Sequence, residues 1–337
     1  MEKIRKIFSK VMFLLPSFLS VIALGFSFAP MFVLSFKDKT AEIQKWTNVV
    51  NIIDYFKNYQ TFHFTFIIFL VLILIGIITS FFVKKVKPLG FISFFSFMIG
   101  LCLFFSQGLF YTYNHVYAYK EAYLAWGGMT TAILLSLATF VEFIIAYRQE
   151  KMSIRDIAED GMLIAVAFVL NFVKIPVGAT GGSINLQFFP LFLIALRHGA
   201  MDGLVCASVV YGLISCLADG YPISTYPFDY FIGFAGVAFF GVFKSLILNG
   251  EKMYNLKGVL YIVIAGVLAL LTRWFGSTLS SVLNYGVTFT EGLAYNIPYV
   301  FFSGIAATIL MVVLYGPIMQ LDKVLNKKSR FNEEDQN

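Results

Sequence analysis

Long apolar runs separated by short polar segments dominate this chain. Four such runs, at about 10–36, 62–83, 89–111 and 123–147, are followed by a polar joint, YRQEKMSIRDIAED, at 147–160. Six more follow, at about 161–176, 184–197, 200–218, 227–247, 257–285 and 292–319. A helix needs ~20 apolar residues to cross ~30 Å of hydrocarbon, and shorter runs imply tilt or shielding by protein. No segment has the ~10-residue alternation of a barrel strand. The first run is too long for a cleavable signal and lacks a small-residue cleavage site, so it is read as a span. The pattern therefore predicts an all-α integral membrane protein of about ten transmembrane helices, a six-helix bundle preceded by a four-helix extension.

Basic residues orient it. With the N-terminus inside, the cytoplasmic segments carry Lys3, Arg5, Lys6, Lys10, Lys84, Lys85, Lys87, Arg148, Lys151, Arg155, Arg197, Lys244, Lys252, Lys257, Lys323, Lys327, Lys328 and Arg330. The outer segments carry only Lys37, Lys39, Lys45, Lys57 and Lys120. This asymmetry places both termini in the cytoplasm of a multi-pass plasma-membrane protein.

Composition agrees. Of 337 residues 59% are hydrophobic and 13% charged, and Phe occurs 39 times. The net charge of +6 is explained by topology and does not indicate a nucleic-acid partner. Cys102, Cys206 and Cys216 lie in apolar runs, and His63, His115 and His198 are scattered. With no CxxC, HExxH, GxSxG or GxxxxGKS, neither a metal site nor an enzyme is expected.

The joint at 147–160 divides two styles of sequence. Residues 1–150 form a four-span extension rich in Phe, Ile and Leu. Residues 151–322 carry Gly, Ser, Asn, Asp and Arg inside their spans, and 323–337 form a cytoplasmic tail. Polar groups in lipid are costly and face a bundle interior or a cavity, so function is assigned to the second half.

There, Arg273, Ser277, Ser281 and Asn284 recur at helical spacing, with Tyr285 extending the stripe and Trp274 flanking it. Asn296, Tyr299 and Ser303 share a face of the last span. Asp229 stands in YPISTYPFDYFIGF, in the first turn of its span. The topology brings these to the outer leaflet, beneath the glycine-bearing loop ATGGSINLQ at 179–187. A carboxylate among aromatic faces suits a small aromatic cation, each face contributing ~0.5–2 kcal/mol, and an Asn amide can read a ring nitrogen and its amino group. Three plainer readings stand beside this one. Asp229 can cap its helix, Arg273 can be a structural ion-pair partner, and the serines can be helix–helix glue.

In order, the phrases GGSINLQFFPLFLIALRHG (181–199), YGLISCLADGYPIS (211–224), PFDYFIGFAGVAFFGVF (227–243), RWFGSTLSSV (273–282) and LAYNIPYVFFSG (293–304) resemble a known family. They are similar to the thiamine-specific, ThiT-like S components of energy-coupling factor (ECF) vitamin transporters, over about 155–320. The resemblance implies a six-helix, non-enzymatic protein that binds a vitamin from outside, with no cofactor and thiamine as the transported ligand. It implies docking on a transmembrane scaffold carrying two ABC ATPases, through small residues of the first helix, here Gly161 and Ala165. The family's acid falls on Asp229 (usually Glu), followed by Tyr230; its terminal Asn falls on Asn296. Tyr285 stands where Trp is common, Ser277 where His is expected, and Glu291 near the place of a missing tyrosine. Tyr221 and Trp274 complete the candidate binding set. These departures leave open thiamine phosphates, the pyrimidine precursor or another vitamin as ligand. A membrane assembly or sensory protein reusing the fold is the alternative from another class, and an independent secondary transporter is disfavoured because no repeat relates the halves.

Outside the resemblance, residues 37–61 are read as an amphipathic surface helix. The stretch YTYNHVYAYKEAY is read as lying at headgroup level, and the tail KSRFNEEDQN as disordered.

Overall fold

The computed structural model describes residues 2–36, 46–50, 63–86, 88–112, 119–147, 153–176, 183–248 and 255–334. The chain divides into two compact units, Met1–Gln149 and Glu150–Asn337.

In the N-terminal unit, helices α1 (Glu2–Phe26), α2 (His63–Phe82), α3 (Pro88–Thr112) and α4 (Trp126–Tyr147) follow the apolar runs. Phe66, Phe69, Phe97 and Phe104 are buried between them. The Phe97 ring occupies the place of a side chain at Gly76, where a Cβ would lie 2.6 Å from it. Polar groups are turned inward. Thr131 Oγ1 donates to the Ala23 carbonyl (3.2 Å), Ser93 Oγ to the Gly76 carbonyl (3.1 Å), and Ser80 Oγ to the fully buried Glu142 carboxyl (3.1 Å).

A three-stranded antiparallel sheet is the unexpected element. Strand β1 (Phe32–Phe36) lies between β2 (Trp46–Val50) and β3 (Tyr119–Leu124), with Phe32 opposite both Val50 and Leu124. The first expected span is therefore helical only to Phe26. The proposed surface helix at 37–61 is a strand at 46–50, the rest lying outside the described residues. Tyr119–Tyr123 of the tyrosine-rich stretch is likewise strand, and 113–118 lie outside the described residues. Val33, Val49 and the aromatic residues in these segments suit a pleated surface, and the partners come from distant chain segments.

The C-terminal unit contains α5 (Ile154–Phe172), a short hairpin of β4 (Ile175–Pro176) and β5 (Ser183–Ile184), and α6 (Phe188–His198). Helix α7 (Ala200–Ala218) has a π-helical stretch at Val205–Tyr211. The segment 226–247, here α8, is a succession of π, α and 3-10 turns rather than one regular helix. Helices α9 (Leu256–Tyr285), α10 (Phe289–Val313) and α11 (Tyr315–Glu334) complete it. The tail read as disordered is helical to Glu334, and no Gly or Pro interrupts 318–334. Helices α4, α7, α9 and α10 are long and apolar enough to cross a membrane, and shorter apolar helices accompany them.

Aromatic packing holds the unit together: Phe192 stacks on Phe240 at 4.2 Å, and Phe188, Tyr211 and Tyr230 surround Phe234. One end is closed by charge. Arg197 pairs with Glu159 through two nitrogens, and His198 Nδ1 lies 2.5 Å from Asp160 Oδ1. Lys244 donates to the Arg197 carbonyl. These contacts tie α5, α6 and α8 at the end away from the hairpin.

Helix α5 starts with a capping box. Ser153 Oγ accepts from the Asp156 amide (3.2 Å), and Asp156 Oδ2 accepts from the Ser153 amide (2.8 Å). Burial alone would raise the Asp156 carboxyl. The Ser153 hydrogen bonds, with His198 and Lys244 nearby, outweigh it and hold the group below its usual range. A depressed carboxyl contributes stability that is complete above its unfolded value of ~3.9 and lost as pH falls through the folded value. Ser153→Ala is expected to cost about 1 kcal/mol at neutral pH, read as thermal unfolding in detergent. The variant is also expected to lose less stability than the parent on acidification.

Candidate functional site

Two close approaches bring α8 against α9. A Cβ at Gly276 would run into the Phe228 carbonyl, and one at Gly233 would lie 2.8 Å from Arg273 Nη1. Glycine at 276 lets the backbones meet, and glycine at 233 leaves room for the Arg273 side chain. Within the π turn Tyr226–Ile232, the Gly233 amide reaches back to the Phe228 carbonyl. The Asp229 carbonyl is left for Arg273 Nη1, which donates to it. Arg273 Nη2 lies 3.3 Å from Asp229 Oδ1, and Ser277 Oγ donates to the same oxygen at 2.6 Å. The guanidinium also sits over the Phe234 ring at 4.5 Å and the Tyr230 ring at 5.7 Å. Asp229 does not cap its helix; its side chain is spent across to α9, one turn apart on Arg273 and Ser277.

Beside this pair lies a cavity of about 680 Å³. Tyr221, Tyr230, Tyr285, Tyr295 and Tyr299 contribute rings to its wall, Asp219, Asp229 and Glu291 carboxylates, and Arg273 and Lys174 positive charge. The hairpin side is held by Ser303, whose Oγ accepts from the Asn185 amide (3.2 Å) and donates to the Ser183 carbonyl (3.4 Å). A relay of side chains runs from the hairpin along the wall. Asn185 Nδ2 donates to Asn171 Oδ1 (3.0 Å), Asn171 Nδ2 to Asp219 Oδ1 (3.2 Å), and Tyr230 OH to Asp219 Oδ2 (3.1 Å).

Residues 157–323 match the family model described as "thiamine transporter protein". The match covers most of the C-terminal unit, which is similar to the thiamine transporter family. Over 185 residues the chain is 26% identical to the thiamine transporter ThiT of Bacillus subtilis (strain 168), covering 50% of this chain and 93% of that protein. The solved structure of ThiT from Listeria monocytogenes is similar with a TM-score of 0.44 at 22% identity, over 50% of this chain and 96% of that one. The S component of a bacterial ECF transporter gives 0.38 at 20% identity, with the same coverage of each chain. The family match begins beyond the N-terminal unit.

In the C-terminal unit, the residues singled out from sequence fall into two groups. Asp229, Tyr230, Tyr285, Tyr221 and Glu291 line the cavity. Glu291 also closes the capping box of α10, accepting from the Thr288 amide (2.8 Å) and hydroxyl (2.9 Å). Asn296, Ser277 and Trp274 are not on the wall. Asn296 is fully buried, and its amide is used internally. Nδ2 donates to Ser281 Oγ (3.1 Å) and the Gly292 carbonyl (2.7 Å), and Oδ1 accepts from Tyr299 OH. It positions Tyr299 and Ser281, which do face the cavity. Ser277 positions Asp229. Trp274 donates to the Leu293 carbonyl (2.9 Å) and packs edge-on against Phe301. Of the loop at 179–187, Ser183, Asn185 and Gln187 line the cavity; 179–182 lie outside the described residues.

Sequence reasoning passed over Asn171, Asp219, Lys174 and Tyr295. An Asn within an apolar run was a signal for the first. Asp219 before Gly220, which has φ +73°, reads only as a helix-ending turn.

Asp229→Asn leaves the Arg273 guanidinium without its counter-charge in a poorly hydrated site. Thermal unfolding of the purified chain is expected to show a loss of about 2 kcal/mol, between the values for exposed and buried pairs. Adding Arg273→Met should recover much of it. Independent, additive losses would refute the pairing as an energetic unit.

Proposed function

We infer that the C-terminal unit is the substrate-binding S component of an ECF-type importer and that its ligand is thiamine. The observation carrying this reading is the tyrosine-lined, carboxylate-bearing cavity inside the unit that matches the thiamine transporter family. Its volume lies within the ~300–1,000 Å³ usual for small-ligand sites. Tyrosine faces attract an aromatic cation, and the wall offers hydroxyls, amides and carboxylates to the polar edge of an aminopyrimidine.

The thiazolium enters beside the Asp229–Arg273 pair, where an intact pair presents no net charge. Loss of the Asp229 charge would unmask Arg273 and repel a cation. Titration of the purified full chain with thiamine, by calorimetry or tryptophan fluorescence, is expected to give saturable sub-micromolar binding. Asp229→Asn should weaken it by about 1.5–3 kcal/mol. A parent protein that does not bind thiamine would move the ligand elsewhere.

In this reading both termini are cytoplasmic, the cavity opens outward, and ATP is hydrolysed only by two separate ATPase subunits on a transmembrane scaffold. Helix α5 supplies the docking face. Gly161 and Ala165 are exposed on it, and apart from its own stretch of helix nothing lies within 4 Å of a Cβ built on Gly161. Small residues four apart let another helix approach closely. Gly161→Leu is expected to leave thiamine affinity unchanged while abolishing co-purification with scaffold and ATPases. Undiminished co-purification would remove α5 from the docking surface.

A further inference from the structure

The geometry points to Asp219, rather than Asp229, as the carboxylate that gives the cavity its net negative charge and selects a cationic heteroaromatic ligand over a neutral one of the same shape. This rests on the cavity being the ligand site proposed above.

The argument is a charge balance around one wall. The charged groups lining the cavity are Lys174, Asp219, Asp229, Arg273 and Glu291. Asp229 and Arg273 cancel across 3.3 Å. Glu291 is engaged at the first turn of α10, where the helix dipole favours an anion. Lys174 is exposed, so its charge is screened by water.

Asp219 has no such compensation. Among the described residues it makes no ion pair. Its contacts are neutral donors: Asn171 Nδ2 to Oδ1 (3.2 Å), and Ser215 Oγ (3.3 Å) and Tyr230 OH (3.1 Å) to Oδ2. It also stands at the C-terminal end of α7, its amide donating to the Ser215 carbonyl. A helix C-terminus repels an anion and favours a cation. A carboxylate has about four acceptor positions; three are used, and Oδ1 keeps the vacancy. The neutral donors fix the orientation of the group without supplying the counter-charge, which is left to the ligand.

The test uses the full-length chain, calorimetry and two ligands: thiamine and its neutral 3-deaza analogue, in which carbon replaces the thiazolium nitrogen. The parent is expected to prefer thiamine. In Asp219→Asn, thiamine affinity should fall by about tenfold or more, as for loss of a charge-assisted contact, while the neutral analogue changes little, so that the preference collapses. Asp219→Ser provides a second neutral variant if the first does not fold, as judged by thermal unfolding. An unchanged preference ratio in a folded variant overturns the inference and leaves the thiamine reading intact, and so does an equal loss for both ligands. A parent that binds neither compound overturns the thiamine reading and this inference with it.

Discussion

In hydrocarbon every backbone polar group must find a partner inside the protein. That constraint is most acute at the π turn Tyr226–Ile232, where the Gly233 amide bonds Phe228 and leaves the Asp229 carbonyl without its regular helical partner. Arg273 answers it from α9, donating to that carbonyl and pairing with the carboxylate of the same residue. One side chain thus satisfies an irregular backbone and a charge together. The irregular turn, the glycine contacts of α8 with α9, and the placement of Tyr230 on the cavity wall all depend on it. It also offsets the cost of burying an arginine, since the guanidinium is paired, hydrogen-bonded and covered by aromatic faces.

The C-terminal unit separates two kinds of electrostatics at its two ends. At one, Arg197 meets Glu159 and His198 meets Asp160, while Lys244 donates to the Arg197 carbonyl, so that opposite charges are matched within the protein. At the other, the cavity holds one internally matched pair and Asp219, which neutral donors serve at the C-terminal end of a helix. The first arrangement joins helices. The second leaves a charge that a bound cation can complete. The same residue types therefore act as fasteners or as recognition groups according to whether the fold supplies the partner.

The N-terminal unit uses another economy. Phe side chains fill the space between its helices, and the few inward polar groups, such as Ser80 with Glu142, bond across helices. Its β1–β3 sheet joins segments about ninety residues apart in sequence. Pairing over that separation leaves little local trace beyond a few β-branched and aromatic residues, and so β1 was read as the end of the first span, β2 as part of a surface helix and the stretch holding β3 as lying at headgroup level.

Apolar run length was enough to read the membrane class and, the end of the first run apart, where the apolar helices lie, because hydrocarbon thickness and backbone satisfaction act on each segment alone. The place of Asp229, Tyr230, Tyr285 and Tyr221 near one site was also legible, since a carboxylate and tyrosines at span ends stand out locally. What only the tertiary structure decided was which way each polar group turns. Asn296 faces inward to hold Tyr299 and Ser281, Trp274 turns to Leu293, and Asp229 is neutralised by Arg273. Asp219, unremarkable before Gly220, becomes the unmatched charge because Asn171, Ser215 and Tyr230 converge on it. Periodicity assigns a residue to a helix face, but hydrogen-bond partners and net charge belong to the space where several helices meet, which no single segment encodes.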